Sequence, residues 1–144
     1  MHILTPETIE DFALYFDLRW RILRQPWGQA PGSERDALEA HSWHRMACNE
    51  DRLPVGVARL HLNSPAQAQI RYMAVEHDRQ RQGVGYALAL ELEQVAQSLG
   101  ATEIMLHARN ESIGFYERLG YAVTAPAHTL YGTIAHTEMH KQLR

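Results

Sequence analysis

The sequence predicts a mixed α/β fold in which helices cover both faces of a central sheet. The apolar strand Gln69–Val75 leads into a glycine-containing loop, and a helix with a regular apolar stripe, Val84–Leu99, follows. The apolar run Ile104–Ala108 comes next, and a strand, a helix and a strand in this order form a right-handed parallel unit. At 144 residues, of which 45% are hydrophobic, the chain is most simply one domain, residues 1–144, with a substantial core.

The N-terminal part of the chain predicts a strand, a helix and a long loop. His2–Leu4 is a short strand candidate, and the helix that follows is capped by Thr5, has Pro6 at its first position and ends near Leu23. The apolar residues of this helix follow helical spacing: Ile9, Phe12, Ala13, Phe16, Trp20 and Leu23. The segment Gln25–Ser33 is interrupted by prolines and glycines, which predicts a loop.

Further strands are predicted on both sides of the parallel unit. His41–Asn49 and Pro54–Leu62 predict two strands joined by a polar turn, and the blurred alternation of the second fits a sheet covered on both faces. After the unit, Ser112–Leu119 predicts a short helix. A strand, a loop and a closing strand complete the chain: Tyr121–Thr124, Pro126–Gly132 and Thr133–His140.

Composition and charge argue against several classes of function. The formal net charge of −3 argues against a nucleic-acid or polyanion-binding surface. Cys48 is the only cysteine, so the sequence offers neither a disulfide framework nor a cysteine-based metal site, and we expect a cytoplasmic setting. No apolar signal segment follows Met1, and no run approaches the roughly 18–20 apolar residues of a membrane span. We therefore expect no metal and no nucleic-acid or membrane partner, and a homodimer is left open.

The loop Gln80–Tyr86 carries the strongest functional signal. The first N–H groups of a helix lack intrahelical partners and the helix dipole favours negative charge there, so phosphate binds readily at such an end. Gly83 and Gly85 allow a tight turn and the close approach of a ligand, and Arg79 and Arg81 add positive charge. A dinucleotide fingerprint is disfavoured because its third glycine is missing, and no P-loop lysine follows. Two glycines before a helix are equally compatible with an ordinary tight connection.

Two segments resemble the GNAT superfamily of acetyl-CoA-dependent N-acyltransferases. Gln80-x-x-Gly83-x-Gly85 resembles the family signature Gln/Arg-x-x-Gly-x-Gly/Ala, and Phe115–Tyr121 resembles the family segment F-Y-x-x-x-G-F/Y. The two segments occur in the family's order and at its usual separation. The resemblance implies a GNAT-like mixed, mostly antiparallel sheet with a splayed parallel strand pair, and it implies acetyl-CoA (coenzyme A) as the acyl donor.

The resemblance also implies where coenzyme A binds. The loop would hold the diphosphate, and the pantetheine arm would fill the gap between the splayed strands and pair with Met73–Val75 like an added strand. The family often has an asparagine seven positions before its tyrosine; here that position is Arg109, followed by Asn110, so either residue or Ser112 is a candidate contact. The implied cofactor-binding residues are Met73, Ala74, Val75, Gln80, Arg81, Gln82, Gly83, Val84, Gly85, Tyr86, Arg109, Asn110, Ser112 and Phe115.

Tyr116 occupies the position of the family's usual proton donor. Acyl transfer to an amine requires a neutral amine, a polarised thioester carbonyl and a proton for the leaving thiolate. A phenol can protonate a thiolate at neutral pH without itself being charged. The alternative interpretation of Tyr116 is a core tyrosine on an amphipathic helix.

A general base is not evident from the sequence. The strand before the glycine loop carries Gln69 and Arg71 where many family members have a glutamate. His44 and His136 are candidate substitutes, although a lone histidine is more often structural, and a water chain would need no side chain. His136 and His140 have the spacing of one strand face, but no third metal ligand accompanies them.

We expect the acceptor site to lie outside the matched segments. Arg19, Trp27, His44 and His136 are the candidate residues, and Trp27 is alternatively a cap on the edge of the core. The predicted function is transfer of an acetyl or other acyl group from acetyl-CoA to an amine of a small molecule or a protein. Two alternatives stay open: a module of the same fold that binds acyl-CoA without turnover, and a nucleotide-binding α/β protein of another class.

Overall fold

One seven-stranded sheet forms the centre of the protein, and the computed structural model describes residues 1–144. The strands are β1 (His2–Leu4), β2 (Trp43–Cys48), β3 (Pro54–Leu62), β4 (Gln67–Val75), β5 (Glu103–Arg109), β6 (Ala122–Leu130) and β7 (Ile134–Gln142). The helices are α1 (Ile9–Leu23), α2 (Val84–Ser98) and α3 (Ile113–Arg118), and short 3₁₀ turns are Gln25–Trp27, Glu39–His41, His77–Arg79 and Asn110–Ser112. The strand order is β1-β2-β3-β4-β5-β7-β6, and every neighbouring pair except β4 and β5 is antiparallel. The predicted fold class is therefore confirmed.

The parallel pair separates partway along its length. Strands β4 and β5 pair from Gln67 and Glu103 as far as Ile70 and Leu106. Beyond that point the end of β4 stays paired with β3, and the end of β5 stays paired with β7. A gap therefore opens between the carboxyl ends of β4 and β5, which confirms the splayed pair. Tyr72 lies at this point in a bulge of β4 with φ 59°, a conformation that non-glycine residues rarely adopt.

Helices pack on both faces of the sheet. Helix α2 covers one face, where Leu88 and Leu92 join the larger core of the protein. A Cβ atom on Gly56 would lie 2.5 Å from Val84 Cγ1, so only glycine lets the start of α2 pack this closely on β3. The second core lies under α1 on the opposite face and contains Tyr15, Phe16, Leu18, Met46, Cys48, Val57 and Ala74. None of the helices is long and apolar enough to cross a membrane.

Helix α1 begins later than the sequence predicts. The predicted cap at Thr5 with Pro6 as the first helical residue is wrong, because the N-cap is Thr8. Thr8 Oγ1 accepts a hydrogen bond from Asp11 N–H at 3.0 Å, and the Asp11 carboxylate accepts one from Thr8 N–H at 3.3 Å. This reciprocal capping box satisfies backbone groups that a lone Thr5 cap would leave free. Asp11 also forms an ion pair of 2.6 Å with Arg52, which joins the helix start to the β2–β3 turn.

Strand β6 extends through most of the segment predicted as the loop Pro126–Gly132. That prediction is wrong because β6 continues to Leu130, and residues 131–133 alone form the turn to β7. Proline is accommodated since β6 is an edge strand and its register with β7 shifts between Pro126 and Thr129.

Candidate active site

The glycine loop, residues 80–86, leads from β4 into the first turn of α2 and presents a row of unused backbone donors. None of the N–H groups of residues 81–86 donates a hydrogen bond within the protein, and the first bond of α2 runs from Ala87 N–H to the Gly83 carbonyl oxygen at 3.0 Å. Arg81 and Gly83 shape the turn with left-handed backbone conformations, at φ 63° and 84°. A Cβ atom on Gly83 would meet nothing within 4 Å, so the space beside the turn is open. Free N–H groups at the positive end of a 15-residue helix form a site for an anion such as diphosphate.

The polar side chains of the loop divide into two groups. Gln80 Nε2 donates to the Val75 carbonyl oxygen at 3.3 Å, and Gln82 Nε2 donates to that of Asp78 at 3.1 Å, so both glutamines hold the loop itself. Arg81 is exposed and makes no ion pair, which leaves its charge available to a ligand. A cleft of about 430 Å³ runs between the loop and the β2–β3 turn.

The glycine loop adjoins the gap between β4 and β5. A Cβ atom on Gly85 would lie 3.2 Å from Phe115 Cζ and 3.8 Å from Val75 Cγ2, so the start of α2, the end of β4 and α3 meet here. In the segment Met73–Val75, Ala74 and Val75 pair with β3 on one side, and none of the three residues pairs with β5 on the other. This free edge is one to which an extended chain can add as a further strand.

Tyr116 is buried in α3, but its hydroxyl group has no protein partner. The residue is 7% exposed, and its ring packs against Phe115 and Tyr121 at centroid distances of 4.9 and 5.8 Å. The hydroxyl oxygen forms no hydrogen bond within the protein, and the protein does not enclose it fully. A buried tyrosine ordinarily has a hydrogen-bond partner. Burial raises the pKa of Tyr116 to about 12, so the proton is retained at neutral pH.

The candidates at the end of β5 and directly after it lie on different sides of the sheet. Asn110 Oδ1 accepts a hydrogen bond from Thr137 Oγ1 at 2.6 Å, which ties this turn to β7. Ser112 is half-buried and is the N-cap residue of α3. Arg109 Nη2 donates to the Leu23 carbonyl oxygen at 3.4 Å, so Arg109 reaches the end of α1. The structure therefore separates Arg109 from the two residues on the α3 side.

Arg19 and His44 belong to one buried hydrogen-bond network. The fully buried Arg19 donates to the Glu39 carboxylate and to the Tyr15 hydroxyl group, each at 3.0 Å. His44 Nε2 lies 2.8 Å from the Glu39 carbonyl oxygen, and its Nδ1 lies 2.8 Å from the Tyr15 hydroxyl oxygen. A carbonyl oxygen only accepts, so Nε2 donates to Glu39, and the unprotonated Nδ1 of the neutral ring shares the single Tyr15 hydroxyl proton with the Ala58 carbonyl oxygen, 3.1 Å from that hydroxyl. Burial lowers the pKa of His44, and both ring nitrogens are occupied.

Trp27 and His136 remain accessible. Trp27 is 41% exposed, in the 3₁₀ turn directly after α1. His136 is half-buried on β7, opposite Arg109 in the register of β5 and β7. Its Nδ1 lies 2.9 Å from the Ile134 carbonyl oxygen and donates to it, which leaves the lone pair on Nε2. Burial lowers the pKa of His136, so the ring is neutral at pH 7 and able to accept a proton.

A cluster of arginines surrounds Tyr72 at the gap, and no sequence motif predicts it. The guanidinium groups of Arg19, Arg59 and Arg71 lie 4.4, 4.8 and 4.6 Å from the ring centre. Asp36 accepts from Arg59 at 2.7 Å and from Arg71 at 3.2 Å, which fastens the loop after α1 over the sheet. Burial alone would raise the pKa of Asp36, but its hydrogen bonds and the arginine charges outweigh this and lower it to about 2. Arg59 within the apolar strand β3 was the one signal in the sequence that could have indicated this cluster, because a buried guanidinium group needs a carboxylate partner.

A second charged cluster lies at the start of β5, away from the gap. His140 of β7 stands between the carboxylates of Glu103 and Glu138, with Nε2 3.0 Å from Glu138. Burial alone would lower the pKa of His140, but its hydrogen bonds to the two carboxylates outweigh this and raise it. No group of three or more His, Cys, Asp or Glu side chains is arranged to hold a metal ion.

A sheet that opens along its parallel pair, beside a helix start with free N–H groups, is the arrangement of GNAT-type acyltransferases. The chain belongs to the Acetyltransferase (GNAT) family, whose sequence profile matches residues 12–121. The matched range contains both the glycine loop and Tyr116, the two features that carry the resemblance. Membership of the superfamily is therefore confirmed.

Relatives and solved structures agree with this membership. YjcF, an uncharacterized N-acetyltransferase of Bacillus subtilis (strain 168), is 29% identical over 108 residues, which cover 75% of this chain and 76% of YjcF. An aminoglycoside 6'-N-acetyltransferase complexed with coenzyme A has a TM-score of 0.82 at 18% identity, covering 99% of this chain and 97% of that chain. A Bacillus subtilis acetyltransferase in complex with CoA has a TM-score of 0.77 at 20% identity, covering 99% of both chains. At these identities the two structures show a shared fold, and they do not specify the acceptor.

Proposed function

We propose that this protein transfers an acetyl group from acetyl-CoA to the amine of a small molecule or a protein. The observation that carries the proposal is the row of free N–H groups at residues 81–86, placed where β4 and β5 separate. A diphosphate supplies the acceptor oxygens and the negative charge that match this row and the exposed Arg81. Membership of an acetyltransferase family and the coenzyme A complexes of two structural neighbours support the same donor.

Coenzyme A would run from the glycine loop into the gap. We assign its diphosphate to residues 80–86 and its pantetheine arm to the free edge of Met73–Val75. Asn110, Ser112 and Phe115 would contact the cofactor from the α3 side. A Cβ atom on Gly85 would lie 3.2 Å from Phe115 Cζ, so Phe115 borders the glycine loop, which supports this path of the cofactor.

Tyr116 would donate a proton to the leaving thiolate. When the amine attacks the thioester carbonyl carbon, the C–S bond breaks and the sulfur takes the bonding electron pair. The Tyr116 hydroxyl group is protonated and unpartnered, so it is available to protonate that sulfur. The proton that the attacking nitrogen loses as the amide forms balances this step and restores the phenol. Burial that raises the pKa of this tyrosine also disfavours a thiolate formed beside it, so the thiolate gains from being protonated.

His136 is better suited than His44 to accept the proton of the incoming ammonium group. The lone pair of His136 is on Nε2, which has no hydrogen-bond partner, whereas both nitrogens of His44 are occupied. The lowered pKa of His136 keeps its ring neutral at pH 7, as a general base requires. We therefore assign His136 to the acceptor side of the site and give Arg19 and His44 a structural role.

Thiol release from acetyl-CoA, measured with a panel of amines, tests this function. We expect release to depend on the amine and to fall strongly in Tyr116→Phe while acetyl-CoA binding is kept. Binding of acetyl-CoA without amine-dependent release, for any acceptor, would instead identify a non-catalytic acyl-CoA-binding module. A protein that binds NAD or ATP but not coenzyme A would refute the proposal outright.

A further inference from the structure

Two arginines converge beside the gap, and we call Arg24 and Arg109 the arginine pair. Arg24 follows the end of α1 and Arg109 ends β5. Arg24 Nη1 and Arg109 Nη2 donate to the same carbonyl oxygen, that of Leu23, at 3.2 and 3.4 Å. Arg24 is 8% exposed and Arg109 is half-buried. The fold therefore brings two guanidinium groups together from segments that are distant in the chain.

The arginine pair has no carboxylate of its own. Arg19 and Arg59, the other buried arginines, each hold ion pairs of 3.0 Å or less. Arg24 and Arg109 instead donate only to backbone carbonyl groups. Burial lowers the pKa of Arg109, the charge of Glu111 opposes this shift, and the charge of Arg24 adds to it. Neighbouring like charges in a partly buried position are unfavourable until an anion binds to them.

Donor atoms of the arginine pair remain available to a ligand. Arg24 Nη2 makes no hydrogen bond within the protein, and the protein does not enclose it fully. Arg109 Nε and Nη1 are unused in the same way. Guanidinium groups are planar forks of N–H donors that match the oxygens of a carboxylate or a phosphate. The pair therefore offers both charge and directed donors to one anionic group.

The arginine pair lies next to the proposed base. His136 stands opposite Arg109 in the register of β5 and β7. The guanidinium group of Arg24 lies 5.7 Å from the ring centre of Tyr72 and 6.0 Å from that of Tyr131. Tyr72 lies in β4 at the gap, and Tyr131 lies in the β6–β7 turn. The pair therefore lies near β4 and the β6–β7 turn, on the side that we assign to the acceptor. An anion held here would bring an attached amine close to His136.

We propose that the acceptor carries an anionic group, a carboxylate or a phosphate, in addition to the amine that is acetylated. The arginine pair binds this group and thereby orients the amine toward the acetyl group. The inference rests on the proposed function and narrows its substrate class to small amines that also carry negative charge. Polycationic acceptors are disfavoured, because they would meet two like charges that form no ion pair with a carboxylate.

Matched amines that differ in one anionic group test this substrate class. In thiol-release assays an α-amino acid is compared with its carboxamide, and phosphoethanolamine with ethanolamine, so the carboxylate and phosphate arms are separate. We expect kcat/KM for the preferred anionic member to be at least about tenfold higher. The carboxamide has more neutral amine at a given pH, so a preference for the acid cannot come from intrinsic reactivity. Equal kcat/KM for both members of each acetylated pair would overturn the inference.

Variants of Arg109 show whether the arginine pair is responsible. We expect Arg109→Gln to lower kcat/KM for the anionic amine roughly ten- to hundredfold, with little change for the uncharged amine or for the KM of acetyl-CoA. Arg109→Lys keeps the charge but loses the planar fork of donors. We therefore expect its kcat/KM for the anionic amine to lie between those of wild type and Arg109→Gln. Arg144→Gln, at the exposed C-terminus, is the matched control for loss of one charge. Equal losses for both amines would assign Arg109 a structural role, and a raised KM of acetyl-CoA alone would assign it to the cofactor; either result rejects the inference.

A binding measurement distinguishes failure of this inference from failure of the proposed function. The glycine loop is first saturated with coenzyme A, so that added anions do not report on it. We then expect acetate or inorganic phosphate to raise the Tm of wild type and Arg144→Gln more than that of Arg109→Gln. This result without acetylation of any amine would keep the anion site and reject the acetyltransferase. Identical Tm shifts in all three proteins would reject the anion site, whatever the activity.

Discussion

Replacing Tyr116 with phenylalanine is expected to separate proton transfer from packing. The change removes one oxygen that has no partner in the protein, so the free energy of unfolding should change by about 1 kcal/mol or less. Loss of a general acid lowers kcat by about 10²–10⁴-fold, which corresponds to roughly 3–5 kcal/mol of activation free energy. The affinity for acetyl-CoA should stay within a few fold, because the ring that packs at the gap is kept.

Tyr121→Phe is the matched control for this variant. The two rings are neighbours, 5.8 Å apart, and the same atom is lost. The Tyr121 hydroxyl group, however, donates to the buried Glu93 carboxylate at 3.1 Å. Removing that donor leaves part of a buried carboxylate unsatisfied, which costs about 1–3 kcal/mol of stability. Tyr121→Phe is therefore expected to lose stability and keep kcat, the reverse of Tyr116→Phe.

Single-turnover acetyl transfer, under conditions where chemistry limits the rate, measures the change in the chemical step. Denaturant unfolding measures the change in stability. A Tyr116→Phe enzyme that turns over at the wild-type rate would show that water protonates the thiolate. Equal losses of kcat in both variants would show that packing of the two rings, rather than proton donation, supports the reaction.

The glycine loop, Trp27 and the charged cluster around His140 give further expectations. Gly83→Val should abolish acetyl-CoA binding in calorimetry, because its side chain enters the open space beside the free N–H groups; the left-handed backbone adds strain of about 1–2 kcal/mol. Gly100→Val, with φ 88° and equally open surroundings, carries the same strain and should still bind. Trp27→Ala should raise the KM of the acceptor more than that of acetyl-CoA, because Trp27 is exposed at the end of α1, and an unchanged acceptor KM would remove it from the site. The pKa of His140 is raised in the folded state, so wild type should have a higher free energy of unfolding than His140→Asn below about pH 6.5. This difference should disappear as pH rises through the folded-state pKa, and a difference that grows with pH would contradict the ion pairs.

The elements on the side that we assign to coenzyme A could be predicted from sequence because their signals are local. The strand, the glycine loop and the apolar stripe of α2 lie within one short stretch, and the segment containing Tyr116 follows soon after. The ends of helices and strands were less predictable where the sequence offers two possible caps or boundaries. Thr5 with Pro6 and Thr8 with Asp11 are both plausible helix starts, and the second prevails because it satisfies more backbone groups.

The contacts on the side that we assign to the acceptor could not be predicted, because they join distant parts of the chain. Arg59 meets Asp36 from the loop after α1, and Arg109 meets the end of α1 at Leu23. No spacing in the sequence indicates such pairs. The sequence identifies Arg19, Trp27, His44 and His136 by residue type alone, and only the hydrogen bonds of the folded chain distinguish the occupied His44 from His136 with its free nitrogen.

The amide resonances of residues 81–86 test the central claim most directly, namely that free N–H groups of the glycine loop bind the diphosphate of coenzyme A. On titration of ¹⁵N-labelled protein with coenzyme A, we predict the largest downfield proton shifts for these amides, since they gain charge-assisted hydrogen bonds. Smaller shifts are predicted for Met73–Val75, where the pantetheine arm would pair with the strand. Saturation with coenzyme A that leaves the amides of residues 81–86 unmoved, while others shift, would contradict the claim.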